Sequence, residues 1–182
     1  EKFHKYLKRF SFDTATGIDL PKEAEGIVPT PDDKNWSPVD LATQSFGQSI
    51  SITPLQLIRA FAATINGGYL VQPHFLMSSF TGSGEQYEFE KNQGVKVISS
   101  KTSTSIREML NKVVNTYNWH PARPRHYSSG GKSGTANIPT KGGYSDDQII
   151  SFVSFAPLEN PQVVILVKID RNKNKLTGTE AA

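Results

Sequence analysis

Two apolar, β-branched runs near the C-terminal end, Ile149 to Phe155 and Val163 to Ile169, constrain this chain more than any other feature. Both are of strand length, and the connector between them, Ala156-Pro157-Leu158-Glu159-Asn160-Pro161, is built of turn formers. Together they read as an antiparallel hairpin. Tyr127 to Asn137 reads as a further extended segment, so the expected order is helices first and then three strands.

The helical half is signalled at its ends. Thr53-Pro54-Leu55-Gln56 opens a helix: Thr caps, Pro takes the first helical position, and Gln three residues on returns the capping bond. Leu57, Ile58, Phe61, Ala62 and Ile65 supply its apolar face, and Gly67-Gly68 supplies a left-handed stop. A second helix starts at Ser99 or Ser100 and carries Ile106, Met109, Leu110, Val113, Val114 and Tyr117, a stripe expected to be core. His120-Pro121-Ala122-Arg123-Pro124 ends it. Glu1 to Phe12 is a short amphipathic helix with Lys2, Lys5, Lys8 and Arg9 on a solvated face. Asp13 to Asp40, with Pro21, Pro29, Pro31 and Pro38, is expected to be ordered loop. Tyr69 to Phe75 and Val95 to Ile98 read as short extended segments, and Gly82-Ser83-Gly84 as the tip of a hairpin.

At 182 residues the chain is one domain, and a net charge of +3 is too small and too dispersed for a nucleic-acid binder. Zero cysteines exclude a disulfide scaffold, a zinc knuckle and a thiol nucleophile. His120 and His126 have no carboxylate at ligand spacing, so no metal and no cofactor is expected.

Gly131-Lys132-Ser133-Gly134-Thr135 is the one segment whose residue types suggest chemistry. A phosphate-binding loop would need a glycine where His126 stands and a helix after Ser133, but Thr135-Ala136-Asn137-Ile138-Pro139 and Gly142-Gly143 follow instead. The other reading is the Lys-[Ser/Thr]-Gly strand of serine acyltransferases that act on penicillins and D-Ala-D-Ala peptides. The surroundings decide. Thr16-Gly17-Ile18-Asp19-Leu20-Pro21, Gln44-Ser45-Phe46-Gly47-Gln48, Ile52-Thr53-Pro54-Leu55-Gln56, Asn66-Gly67-Gly68, Pro73, Lys132 to Asn137, Gly142-Gly143-Tyr144 and the two final apolar runs follow one another in the order of a class B penicillin-binding protein. Nearly the whole chain resembles the C-terminal part of that family's transpeptidase domain, down to Gly178-Thr179-Glu180-Ala181-Ala182, which is similar to the approach to its final helix. The implied fold class is α/β of the α+β kind, the C-terminal portion of a penicillin-binding/β-lactamase-like fold with antiparallel strands packed on helices.

The resemblance implies a peptidoglycan D,D-transpeptidase inhibited by β-lactams. Lys132 would supply a cation, and the hydroxyls of Ser133 and Thr135 would donate hydrogen bonds, to the carboxylate that ends a D-Ala-D-Ala stem peptide. Gly134 would let substrate approach the strand backbone. The Thr135 N–H would be an oxyanion donor, a contribution worth about 3 to 4 kcal/mol elsewhere. Asn137 and Gln48 would line the groove. Arg123, Arg125 and His126 are expected to be a solvated loop. The sequence departs from the family at Phe10-Ser11-Phe12-Asp13, where a Phe-Gly pair is usual, and at Asn137, where Gln is common.

The nucleophile is missing. The only Ser-x-x-Lys is Ser129-Gly130-Gly131-Lys132, whose glycines do not make a helical turn, and no Ser-x-Asn occurs. In the family both motifs lie upstream, so the expectation is a C-terminal fragment of a single transpeptidase domain, inactive alone. Its parent would be anchored in the bacterial membrane by an N-terminal segment and face the extracytoplasmic side. Partners would be stem peptides, β-lactams, the remainder of the domain and cell-wall assembly proteins, and the unpaired strands would let two copies associate. The competing class is a non-catalytic module that senses β-lactams or serves as an assembly platform.

Overall fold

The computed structural model describes residues 2–89, 92–116, 120–172 and 176–180. Four helices and seven strands are defined there: α1 (Lys2–Arg9), α2 (Pro38–Gln44), α3 (Pro54–Ile65), β1 (Tyr69–Leu70), β2 (Ser78–Phe80), β3 (Gln86–Glu88), β4 (Val95–Lys96), α4 (Ser100–Asn115), β5 (Gly130–Thr140), β6 (Gly143–Ala156) and β7 (Val163–Ile169). The three-stranded sheet β5-β6-β7 is antiparallel throughout, as the apolar runs require. Two minor antiparallel pairs, β1 with β4 and β2 with β3, sit between the helices in sequence, so helices and strands interleave more than the simple order of helices then strands.

Both ends of α3 follow their chemistry. Thr53 Oγ1 accepts from the Gln56 N–H at 3.1 Å, and Gln56 Oε1 accepts from the Thr53 N–H at 2.9 Å. Gln56 is 2% exposed, and its Nε2 donates to the carbonyls of Phe12 (3.2 Å) and Thr14 (2.7 Å), so one side chain caps a helix and straps the turn after α1 onto it. Gln56→Ala leaves the half-buried Phe12 carbonyl without its donor, frees the exposed Thr14 carbonyl to water and removes half of the cap. At about 1–3 kcal/mol for the Phe12 carbonyl and about 1 kcal/mol for the lost cap, an overall loss of roughly 3 kcal/mol is expected in urea unfolding, and a loss under about 1 kcal/mol would contradict this role. At the other end Gly67 and Gly68 have φ of +91° and +100°, and Asn66 Oδ1 accepts from the N–H groups of Gly68 (3.1 Å) and Tyr69 (2.8 Å).

Helix α2 corrects the reading of 13–40 as loop alone. Pro38 occupies the first turn, where its missing N–H costs nothing, and the Asp40 carboxylate accepts from the Ser37 N–H at 2.7 Å. The residue taken as a breaker is a helix starter.

Helix α4 begins as expected, with Ser99 Oγ accepting from the Thr102 N–H at 3.0 Å. Its stripe is buried only in part. Val114 and Ser103 are fully buried, while Met109 is 64% exposed and Val113 39%. The helix rests on α3 and β5 along the line Ser103, Arg107, Leu110, Val114, which rotates Met109 and Val113 outward. Tyr117 lies outside the described residues. Phe61 of α3 meets Phe155 of β6 at 6.2 Å between ring centroids, joining helices to sheet. A second cluster of Ala63, Leu70 and Val97, with Phe10 packed against it, closes the small β1-β4 pair onto α1 and α3.

Candidate functional site

The ribbon that carries the sequence motif is β5, an edge strand of the three-stranded sheet. Its position is set by its first two residues. A Cβ on Gly130 would stand 2.5 Å from the Phe155 ring, and one on Gly131 would stand 2.6 Å from the Phe152 ring. These glycines are therefore packing residues that let β5 lie flat on two buried phenylalanines. Ser129, just before them, is 3% exposed and its Oγ donates to the Ala122 carbonyl at 3.4 Å. Since Gly130 to Lys132 is extended, Ser129 and Lys132 are no helical Ser-Lys pair.

Beyond the glycines the strand opens to solvent. Lys132 is exposed and its Nζ donates to the Ser133 carbonyl at 2.8 Å, folded back along the ribbon. Ser133 and Gly134 are half-buried, and Thr135 is exposed. Among the described residues neither the Ser133 nor the Thr135 hydroxyl has a hydrogen-bond partner, which leaves both free to donate to a ligand. A Cβ on Gly134 would meet Ser151 Oγ of β6 at 2.8 Å. Behind it comes the terminal segment: a Cβ on buried Gly178 would lie 2.9 Å from the Gly134 carbonyl oxygen and 3.1 Å from Ser133 Cβ. Thr177 and Glu180 fix that segment, the Glu180 carboxylate accepting from the Thr177 N–H at 2.6 Å. Those bonds hold the Glu180 carboxyl below the usual carboxylate range.

Further along, β5 and β6 change register. Pairing passes from Asn137 opposite Gln148 to Pro139 opposite Tyr144, with Pro139 placed at the irregularity, where it owes no ladder bond. The irregularity is stitched by Asn137 Nδ2, which donates to the Ser145 carbonyl at 3.0 Å, and by Ser145 Oγ, which donates to the Ile138 carbonyl at 3.2 Å. A groove of about 260 Å³ results, with Gln48 to Ser51 on one side and Ala136, Asn137, Pro139, Tyr144 and Ile149 on the other. The expected groove residues Gln48 and Asn137, remote in sequence, thus share one wall-to-wall cleft. Lys132, Ser133, Gly134 and Thr135 lie on the ribbon leading into it, outside its lining. Ser49 and Tyr144 also line the groove and were not singled out as site residues, because nothing in periodicity or spacing couples positions so far apart.

Size alone does not identify the site. Wider concavities of about 680 and 720 Å³ lie along α1, one beside Lys5, Lys8 and Arg9 and the other beside Tyr6, Arg9 and Lys96, and they hold none of the expected site residues. Arg125 and His126 are exposed in the turn before β5. His120 is buried at 8% exposure against the Phe152 ring, and its Nδ1 accepts from the Ala122 N–H at 3.2 Å, a packing role. Among the described residues no group of three His, Cys, Asp or Glu side chains could hold a metal ion.

A family model of the penicillin binding protein transpeptidase domain matches residues 1–182. Stage V sporulation protein D of Bacillus subtilis is 37% identical over 189 residues, covering 100% of this chain and 29% of that protein. Penicillin-binding protein PbpB of Mycobacterium tuberculosis is 31% identical over 195 residues, covering 100% of this chain and 28% of its own length. The crystal structure of penicillin binding protein 3 from that organism, complexed with ampicillin, matches with a TM-score of 0.85 at 31% identity, covering 93% of this chain and 39% of the other. The chain spans less than a third of the length of these curated relatives.

Proposed function

The chain belongs to the penicillin-binding protein transpeptidase family, and from that membership we propose that it forms the C-terminal part of a peptidoglycan D,D-transpeptidase domain whose nucleophilic serine lies in polypeptide outside this sequence. Its mixed helices and antiparallel sheet are the fold of that family. The reaction joins two stem peptides. A serine Oγ attacks the carbonyl of the penultimate D-Ala, the C–N bond to the last D-Ala breaks, and the free D-Ala leaves with a proton on its amine. An amine of a second stem then attacks the ester carbonyl, forms the cross-linking amide and returns the proton to serine.

In this reading Lys132 and Thr135 act at the reacting centre, and Ser133, Gly134, Asn137 and Gln48 bind substrate. The Lys132 ammonium and the two free hydroxyls hold the terminal carboxylate, where charge-assisted bonds are roughly twice as strong as neutral ones. The Thr135 N–H serves the oxyanion that forms during attack. The substrate peptide runs beside the open edge of β5, and its acyl portion lies toward the amides of Asn137 and Gln48. The observation that carries the reading is the ribbon Lys132–Thr135, exposed at both ends and with its two hydroxyls unpartnered among the described residues, leading into a groove that already holds Gln48 and Asn137. β-Lactams would occupy the same ribbon, since they present an anionic group, a carboxylate in penicillins, beside a reactive amide.

No helix among the described residues is long and apolar enough to cross a membrane. The reading places the active polypeptide on the extracytoplasmic face of a bacterial membrane, held by a segment outside this sequence and working with cell-wall assembly proteins. The absence of a helical Ser-x-x-Lys from the chain favours one second reading, a non-catalytic module that retains the groove.

A fluorescent penicillin separates the two. The 182-residue chain is expected to take no covalent label, whereas the longer polypeptide with an upstream Ser-x-x-Lys is expected to label one to one. Stoichiometric labelling of the short chain would place the nucleophile within it and overturn the division of the site. An unlabelled full-length protein would support the module.

A further inference from the structure

Tyr144 and Ser49 stand 95 residues apart in sequence and meet at the end of the groove. The Ser49 backbone N–H donates to Tyr144 Oη at 3.2 Å, and Ser49 Oγ lies 3.5 Å from the same oxygen. From the other side Thr43 Oγ1 of α2 donates to Ser49 Oγ at 2.8 Å. Ser49 has φ of +56°, a left-handed conformation that a serine does not hold without restraint, and Gly47 beside it has φ of +91°. The wall containing Gln48 is therefore a strained loop held between a short helix and the tip of the β5–β6 hairpin.

Tyr144 fits a latch better than a core residue. It is 48% exposed, so its ring contributes little burial, and both partners of its oxygen belong to Ser49. It reaches Ser49 from the far side of the register slip between Asn137 and Pro139. The Gln48 wall is tied to the helical side by the Gln48 N–H to the Thr43 carbonyl at 3.0 Å and by the Ile27–Ser51 bridge, and among the described residues the Tyr144–Ser49 bond is what joins it across to the sheet side.

We propose that Tyr144 is a positioning residue whose hydrogen bond to Ser49 sets the aperture of the groove, and so limits the bulk of the acyl group admitted beside the ribbon. The inference rests on the transpeptidase reading. With the bond made, the groove is narrow and favours slender acyl chains. Without it, Ser49 relaxes toward ordinary backbone angles and the Gln48 wall moves away.

The test uses the full-length polypeptide that contains this chain and its nucleophile. Second-order acylation rates are measured for two penicillins that differ only in the bulk of the acyl side chain. Tyr144→Phe removes one oxygen and keeps the ring, and the loss of one hydrogen bond predicts a rise of about fivefold in the bulky-to-slender rate ratio. Thermal midpoints within about 2 °C of wild type and an exchange rate of the Ser49 amide raised about tenfold would accompany it. An unchanged ratio with wild-type acylation intact overturns the latch. A parallel fall of both rates together with the midpoint overturns it too, because that is the behaviour of a brace. Failure of the wild-type protein to react with either penicillin instead defeats the transpeptidase reading beneath it.

Discussion

Lys132→Ala is expected to slow acylation by penicillin two to three orders of magnitude in the polypeptide that carries the serine, with little change in thermal midpoint. The two halves of that expectation have different origins. Stability is spared because Lys132 is exposed and its one bond, to the neighbouring Ser133 carbonyl, is replaceable by water. Reactivity is not spared. The ammonium is the cation on a ribbon whose other donors are neutral, and loss of a preorganised electrostatic partner at a reacting centre costs about 2.7–4 kcal/mol in other enzymes. Lys132→Arg keeps the charge but replaces a compact ammonium with a planar fork, so about a tenfold deficit is expected to remain. Stopped-flow acylation of the three proteins decides the matter. An alanine variant within tenfold of wild type would mean that the ribbon is not the carboxylate clamp.

The largest effect on stability is expected at Gly68. A Cβ there would overlap the Ile98 carbonyl oxygen, and φ is +100°, so alanine suffers a steric and a conformational penalty together. Neighbouring Gly67 is the internal control: φ is +91°, but the closest atoms to a new Cβ are in the Tyr69 ring at 3.9 Å. Gly67→Ala should lose about 1–3 kcal/mol, the price of an L side chain in that conformation. Gly68→Ala should lose more than about 4 kcal/mol, a fall in thermal midpoint of roughly 10 °C or more for a domain of this size. Equal losses at the two positions would show that the β4–α4 connection yields to the added methyl group.

Helix α3 was legible because each signal was local: Thr53 and Gln56 are one turn apart, and Gly67-Gly68 follows directly. The hairpin of β6 and β7 was legible for the same reason, and its register runs from Ile150 opposite Ile169 to Ala156 opposite Val163. Helix α2 was hidden because proline carries two meanings, breaker inside a helix and starter at its first turn, and Pro38 lies in a tract full of the first kind. In the extended stretch 69–75 only Tyr69 and Leu70 pair, because pairing depends on a partner strand that the stretch itself does not specify. The exposure of Met109 and Val113 was equally out of reach, since an apolar stripe wider than its contact surface does not say which edge stays wet. The order of motifs leads to the expectation that Gln48 and Asn137 line a groove, and they do share one; their role there, like that of the ribbon, belongs to the proposed function. The Tyr144–Ser49 contact was not readable, because the two residues lie 95 positions apart and no local pattern couples them.

The Ser133–Gly134 backbone does not rest on bulky side chains. It lies directly on Ser151 and on the terminal segment at Gly178, with no methyl group between them. A change one layer back can therefore displace the ribbon by a fraction of an ångström without touching a bound drug. On the transpeptidase reading proposed above, substitutions at positions 151 and 178 are expected to alter acylation by penicillin without contacting it.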